Sequence, residues 1–154
     1  FKGVSLMPCN LYGPNDNFHP DNGHVIPALM QKFNNATTES VTCWGDGTPT
    51  REFMYVDDLA DACLFAIENY SNAELINVGS GQDISIFHLA HKVAALTGYN
   101  GKIEWDTERP NGTPKRPLDY NKITEKGWKP NYTLDQGLEK TYLWFQQATH
   151  LQTK

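Results

Sequence analysis

The run Gly3-Val4-Ser5-Leu6-Met7-Pro8-Cys9-Asn10-Leu11-Tyr12-Gly13-Pro14 is followed ten residues later by His24, in Gly23-His24-Val25-Ile26-Pro27-Ala28-Leu29. Gly3 to Met7 has the near-continuous apolar character of a buried parallel strand. Pro8 together with Tyr12-Gly13-Pro14-Asn15-Asp16-Asn17 ends regular structure in a long polar loop. In parallel-sheet enzymes functional atoms collect at such strand exits. The spacing of Ile26, Leu29, Met30 and Phe33 predicts a helix from about His24 or Ile26 to Phe33, with Pro27 acceptable in its first turn.

Outward from that stretch the chain alternates between the two periodicities. Val41–Trp44 and Glu52–Val56 read as strands on either side of the turn Trp44-Gly45-Asp46-Gly47-Thr48-Pro49. Asp57 or Asp58 is the expected cap of a helix with the stripe Leu59, Ala62, Cys63, Ala66 and Ile67. Leu75–Val78 is a short strand ending at Gly79-Ser80-Gly81, and Ser85 caps a helix that Gly98 stops. Lys102–Trp105 is another strand, Asp119–Lys126 a short helix, and Thr133 caps the last helix, with Leu134, Leu138, Tyr142 and Phe145 on one face. The fold class is α/β.

Composition narrows the function. The chain has 154 residues, 39% of them hydrophobic and 20% charged, without an apolar run long enough to cross a bilayer. A formal charge of −5 argues against a nucleic-acid partner, which needs a concentrated basic surface. Three cysteines, Cys9, Cys43 and Cys63, each in or beside an apolar run, fit reduced and largely buried thiols in the cytoplasm rather than a disulfide framework.

No glycine-rich dinucleotide fingerprint, P-loop or metal-ligand cluster is present in the sequence, and Gly79-Ser80-Gly81 lacks the required spacing. His24 is the strongest single candidate, because imidazole transfers protons near neutrality and this one stands at a helix start beside a polar loop. A helix-capping or solvent-facing histidine explains the same pattern. Cys9 suits a small core residue better than a nucleophile. Lys32, Arg51, Arg109, Lys115 and Arg116 are possible anion ligands, and Trp44 is a possible stacking surface; ordinary surface charge and strand packing explain them equally well.

Taken together, Pro8-Cys9-Asn10-Leu11-Tyr12-Gly13-Pro14, Asp16-Asn17-Phe18-His19-Pro20, His24-Val25-Ile26-Pro27-Ala28-Leu29, Trp44 through Phe53 with Arg51-Glu52-Phe53, and Val56-Asp57-Asp58 resemble the extended short-chain dehydrogenase/reductase family. The Asn-Phe-His-Pro loop followed by His-Val-Ile-Pro-Ala-Leu is narrower and resembles the GDP-L-fucose synthase branch. That resemblance implies an enzyme that epimerises carbons 3 and 5 of GDP-4-keto-6-deoxy-D-mannose and reduces its 4-keto group with NADPH. It implies His24 as the acid/base residue, which also contacts the cofactor, and Pro8, Cys9, Asn10 and Leu11 as the segment against the nicotinamide end. Lys32, Trp44, Arg51 and Asn111 are implied as substrate-binding, although relatives often carry Asp at the position of Asn111.

The family's glycine-rich NADP turn, its catalytic Ser, its second proton-transfer Cys and its Tyr-x-x-x-Lys pair are expected upstream of Phe1. Residues 1–154 are therefore expected to be a C-terminal portion, with late Rossmann strands interleaved with a small α/β substrate-binding domain and the N-terminal cofactor half absent. Such a chain by itself is not expected to reduce a ketone. The resemblance further implies a homodimeric full-length enzyme whose main dimer helices lie outside this chain. The alternatives are another nucleotide-sugar epimerase or dehydratase, or a non-catalytic nucleotide-sugar binding module.

Overall fold

The computed structural model describes residues 3–19, 22–115 and 118–152. The opening strand comes in two pieces, β1 (Ser5–Pro8) and β2 (Asn10–Tyr12). They are followed by α1 (Val25–Asn34), β3 (Ser40–Trp44), β4 (Thr50–Tyr55), α2 (Val56–Asn69), β5 (Leu75–Val78), β6 (Asp83–Ser85), α3 (Ile86–Thr97), β7 (Lys102–Asp106), α4 (Asn121–Thr124) and α5 (Leu134–Gln152). No helix among the described residues is long and apolar enough to cross a membrane.

The break at Cys9 is a change of partner. β1 runs parallel to β5, and the Cys9 N–H still donates to the Val78 carbonyl at 2.9 Å. From Asn10 onward the chain runs parallel to β4 instead, with Asn10 opposite Phe53 and Tyr12 opposite Tyr55. Pro8 thus does not end extended structure as expected, because the chain regains a ladder on a different strand. Nor is the opening strand fully buried: Ser5 and Met7 alternate onto one exposed face, Met7 being 47% exposed.

β4 divides the interior. Its alternating side chains send Phe53 and Tyr55 into a core built from α1, α3 and α5, with Met30, Phe33, Leu89, Val93, Leu138 and Phe145. Met54 points the other way, to Ala62 of α2, Ile76 and Val78 of β5, Ile123 of α4 and Trp128. β6 adds antiparallel to β4, while β3 pairs parallel with β7 as a separate two-stranded sheet.

Several local expectations need correction. Neither Asp57 nor Asp58 caps α2. The N-cap is Tyr55, and the buried Asp58 carboxylate reaches across the fold to accept the N–H groups of Asn131 (2.7 Å) and Tyr132 (3.3 Å). On α2, Ala62 and Ala66 are buried while Ile67 and Cys63 of the expected stripe face outward. The segment 119–126 is helical only over Asn121–Thr124. The Ser85 cap is present, its hydroxyl accepting from the His88 N–H, and Gly98 closes α3 in the left-handed region at φ 78°. Thr133 and Gln136 form a reciprocal box at the start of α5.

Candidate functional site

Asn17, His19, Asn22 and Gly23 are joined in a knot of local hydrogen bonds. The Asn17 side chain accepts from the His19 N–H at 3.0 Å and donates to the Asn22 carbonyl at 3.1 Å, and the Gly23 N–H donates to the His19 carbonyl at 2.8 Å. A Cβ on Gly23 would meet that same carbonyl at 2.6 Å, so only glycine permits this closure. Phe18 anchors the knot by stacking on Phe145 of α5, centroids 4.8 Å apart. The loop motif is therefore scaffolding. It delivers two side chains, Asp16 and His24.

His24 is the N-cap of α1 by backbone position, but its side chain makes no capping bond. Instead Nδ1 lies 3.1 Å from Asp16 Oδ1, and the ring is 78% exposed. It opens onto a cleft of about 320 Å³ lined by Cys9, Asn10, Leu11, Tyr12, Val25, Ile26, Pro27 and Phe53. Three of the four residues expected at the nicotinamide end thus share a cleft with His24. The fourth, Pro8, ends β1 opposite Val78, one residue before that wall begins. The Cys9 thiol is pushed up to about 12 by burial and by the nearby Glu52 charge, so it is not poised as a nucleophile.

A second cleft, of about 240 Å³, adjoins the first at Val25 and is lined by Ala28, Leu29, Lys32, Cys43, Trp44 and Ile86. The indole of Trp44 is 54% exposed, with the Lys32 ammonium 5.7 Å and the Arg109 guanidinium 5.0 Å from its ring. Two cations on one exposed indole make a platform for an aromatic, anionic ligand. Arg109 was one of several basic residues in the sequence. Only its place over Trp44 sets it apart.

Asn111 lies on the loop that follows β7, and Arg51 of β4 reaches its neighbour Gly112. Asn111 Oδ1 accepts the Asp46 N–H at 2.8 Å, fixing residues 107–115 against the turn after Trp44. Asp46 in turn accepts from the hydroxyl and N–H of Thr48, which together with Asn111 hold its carboxyl below the ordinary range. Arg51 donates to the Thr50 carbonyl, and its guanidinium lies 3.5 Å from where a Gly112 side chain would begin. Arg116 lies outside the described residues.

Glu52, unremarked beyond its motif, is the residue sequence reasoning missed. Its buried carboxylate accepts from the Gly81 N–H (2.6 Å), the Ser80 hydroxyl (3.3 Å) and the Tyr120 hydroxyl, while its carbonyl accepts from the Asn10 amide at 2.8 Å. It fastens the cleft floor to the Gly79–Gly81 turn. Burial pushes its carboxyl above the ordinary range despite those donors.

Residues 1–79 match the model of the NAD dependent epimerase/dehydratase family. The chain belongs to this family. It is 50% identical to GDP-L-fucose synthase 1 of Arabidopsis thaliana, over 94% of its own length and 46% of the relative's. It is 44% identical to the GDP-L-fucose synthase of Escherichia coli, over 92% and 48%. Among solved structures, a GDP-L-fucose synthetase from Naegleria fowleri superposes with a TM-score of 0.89 at 30% identity, over 96% of this chain and 47% of that one. A UDP-glucose 4-epimerase of Thermotoga maritima, solved with UDP-glucose, does so with a TM-score of 0.85 at 29% identity, over the same shares. The chain spans about half the length of the curated relatives it matches.

Proposed function

We propose that this chain supplies the substrate side of an enzyme that converts GDP-4-keto-6-deoxy-D-mannose to GDP-L-fucose, by epimerisation at C3 and C5 and NADPH-dependent reduction at C4. The observation that carries the reading is the pair of clefts joined at Val25, with His24 in one and the Trp44 platform in the other. His24 and Lys32 are separated by about 12 Å along α1. A ligand that unites a reacting sugar with a distant nucleotide through a diphosphate bridges such a span; a free sugar does not. The relatives named GDP-L-fucose synthase support the same choice.

In this reading Trp44 stacks on the base, Lys32 and Arg51 take the diphosphate, and the loop held by Asn111 closes over it. The 4-ketone acidifies the neighbouring C–H bonds, and His24 returns a proton to the carbon from which one has been removed. The structure of the Naegleria fowleri synthetase bound to NADP supports NADP(H) as the cofactor here. The residues present fit one wall of its site: Leu11, Tyr12 and Phe53 give an apolar surface, and Asn10 is held in place by the Glu52 carbonyl. When bound, the cofactor supplies the hydride for C4. The two cores on either side of β4 support a division in which segments of a cofactor domain interleave with a nucleotide-sugar domain.

The test uses the full-length protein. Arg51→Ala is expected to weaken GDP binding by roughly 10- to 100-fold in calorimetry, the loss of a charge-assisted contact. His24→Gln is expected to slow solvent-deuterium exchange at C3 and C5 by roughly 100- to 10,000-fold while GDP still binds. Unaffected exchange in that variant would sink the assignment of His24, and unaltered GDP affinity in Arg51→Ala would sink the diphosphate site.

A further inference from the structure

We infer that Asp16 is a positioning residue for His24, fixing which ring nitrogen carries the transferable proton; this rests on the proposed role of His24. Asp16 follows Asn15, which sits in the left-handed region at φ 66°, and its side chain is turned inward to 13% exposure. One carboxylate oxygen is shared by the Asn17 N–H at 2.7 Å and His24 Nδ1 at 3.1 Å. The other is buried and has no hydrogen-bond partner among the described residues.

A carboxylate only accepts, so Nδ1 must be the nitrogen that keeps its hydrogen, and Nε2 is left to face the substrate. Without that partner the ring turns about its bond to the side chain and exchanges tautomers. With it, one orientation and one tautomer persist through the proton transfer. In that step the Nε2–H bond breaks with its electron pair staying on nitrogen, and the proton joins the enolate carbon. The neutral ring that remains still donates from Nδ1 to Asp16. A residue kept only to receive the Asn17 N–H needs one oxygen; burying a second without a donor is unfavourable. The adjacent imidazole gives that carboxylate a use.

The experiment measures deuterium exchange at C3 and C5 of the GDP-4-keto-6-deoxy sugar in the full-length protein, with Asp16→Ser, Asp16→Asn, His24→Gln and the Asp16→Ser/His24→Gln double variant. Asp16→Ser keeps an acceptor for the Asn17 N–H but loses the reach to His24, and it is expected to slow exchange roughly 10- to 100-fold while GDP affinity stays within about twofold. Against the residual rate of His24→Gln it is expected to do nothing further, since its effect passes through the ring. Asp16→Asn, whose amide oxygen can take both donors, is expected to exchange faster than Asp16→Ser, which a merely misfolded loop would not predict. Exchange within threefold of wild type in Asp16→Ser, or a further loss in the double variant, overturns the inference. If His24→Gln itself leaves exchange intact, the underlying reading fails and this one falls with it. If His24→Gln slows exchange and Asp16→Ser does not, only the positioning role is lost.

Discussion

Glu52 and Asp16 are both carboxylates withdrawn from water near the same cleft, and they differ in how many donors reach them. Glu52 receives a backbone N–H and two hydroxyls from two separate segments, the Ser80-Gly81 turn and Tyr120, so both its oxygens are occupied. Asp16 has both of its donors on one oxygen, and the other has no partner among the described residues. A fully satisfied buried carboxylate acts as a fastening, since removing it strands every donor it served. A half-satisfied one contributes less to stability and is available to orient a neighbour.

The largest break in that comparison is Glu52→Ala. It leaves the Gly81 N–H and the Ser80 and Tyr120 hydroxyls without their acceptor, and the expected cost is about 3 kcal/mol or more. Urea denaturation measures it. A loss below about 1 kcal/mol would show that the donors find other partners and that the node is not a fastening.

The fastening is also expected to carry a pH signature. Glu52 has a folded-state pKa above its ordinary 4.5, so above that pH the folded protein holds a proton that the unfolded chain has released. Folding then binds protons, and stability falls as pH rises from about 4.5 through the raised value. Asp58, likewise raised by burial, adds to the fall in the same direction. The slope from a single group is at most about 1.4 kcal/mol per pH unit. Glu52→Gln is expected to flatten the profile, leaving the Asp58 share. An unchanged slope would remove Glu52 as its source.

The same contrast shows what was legible in the sequence. The helices, most strands and the caps at Ser85 and Thr133 follow from periodicity and from polar residues at helix starts, which are local signals. His24, Lys32, Trp44 and the 8–11 segment were nameable from motifs, and the fold gathers them, Pro8 excepted, into two adjoining clefts. Glu52 and Asp58 were not readable as ties, because their partners lie 29 and 68 residues away for Glu52 and 73 and 74 for Asp58. Asp16 was quoted within a loop motif, yet its pairing with His24 depends on the Asn17–Gly23 knot that folds the loop back. Asn111 holds the Gly45–Asp46 turn, an interaction across 65 residues that no window contains.

Against the cost at Glu52, Asp16→Asn is expected to change unfolding free energy by less than about 1 kcal/mol, since an amide still accepts the Asn17 N–H and a poorly satisfied charge is removed. Paired measurements by urea denaturation on both variants sharpen the contrast. If Asp16→Asn were as destabilising as Glu52→Ala, both carboxylates would be fastenings and the distinction would collapse.

The finest test reads the field of Glu52 through Cys9. Burial comes first and the Glu52 charge second in pushing that thiol to about 12, so at pH 8 almost none of it is thiolate, the form that reacts. Cys43 is buried and likewise raised, whereas Cys63 is exposed on α2. This corrects the expectation of three largely buried thiols. Iodoacetamide at pH 8 is therefore expected to label Cys63 first, with Cys9 and Cys43 labelled only in denaturant, as read by peptide mass spectrometry. In Glu52→Gln the negative charge is gone while the side chain keeps its shape, and Cys9 labelling is expected to rise severalfold with Cys43 unchanged. A parallel rise at Cys43 would mean that the variant has loosened the fold as a whole, because Cys43 packs in the other core, across β4. A rise confined to Cys9 isolates the electrostatic reach of Glu52 from its structural one.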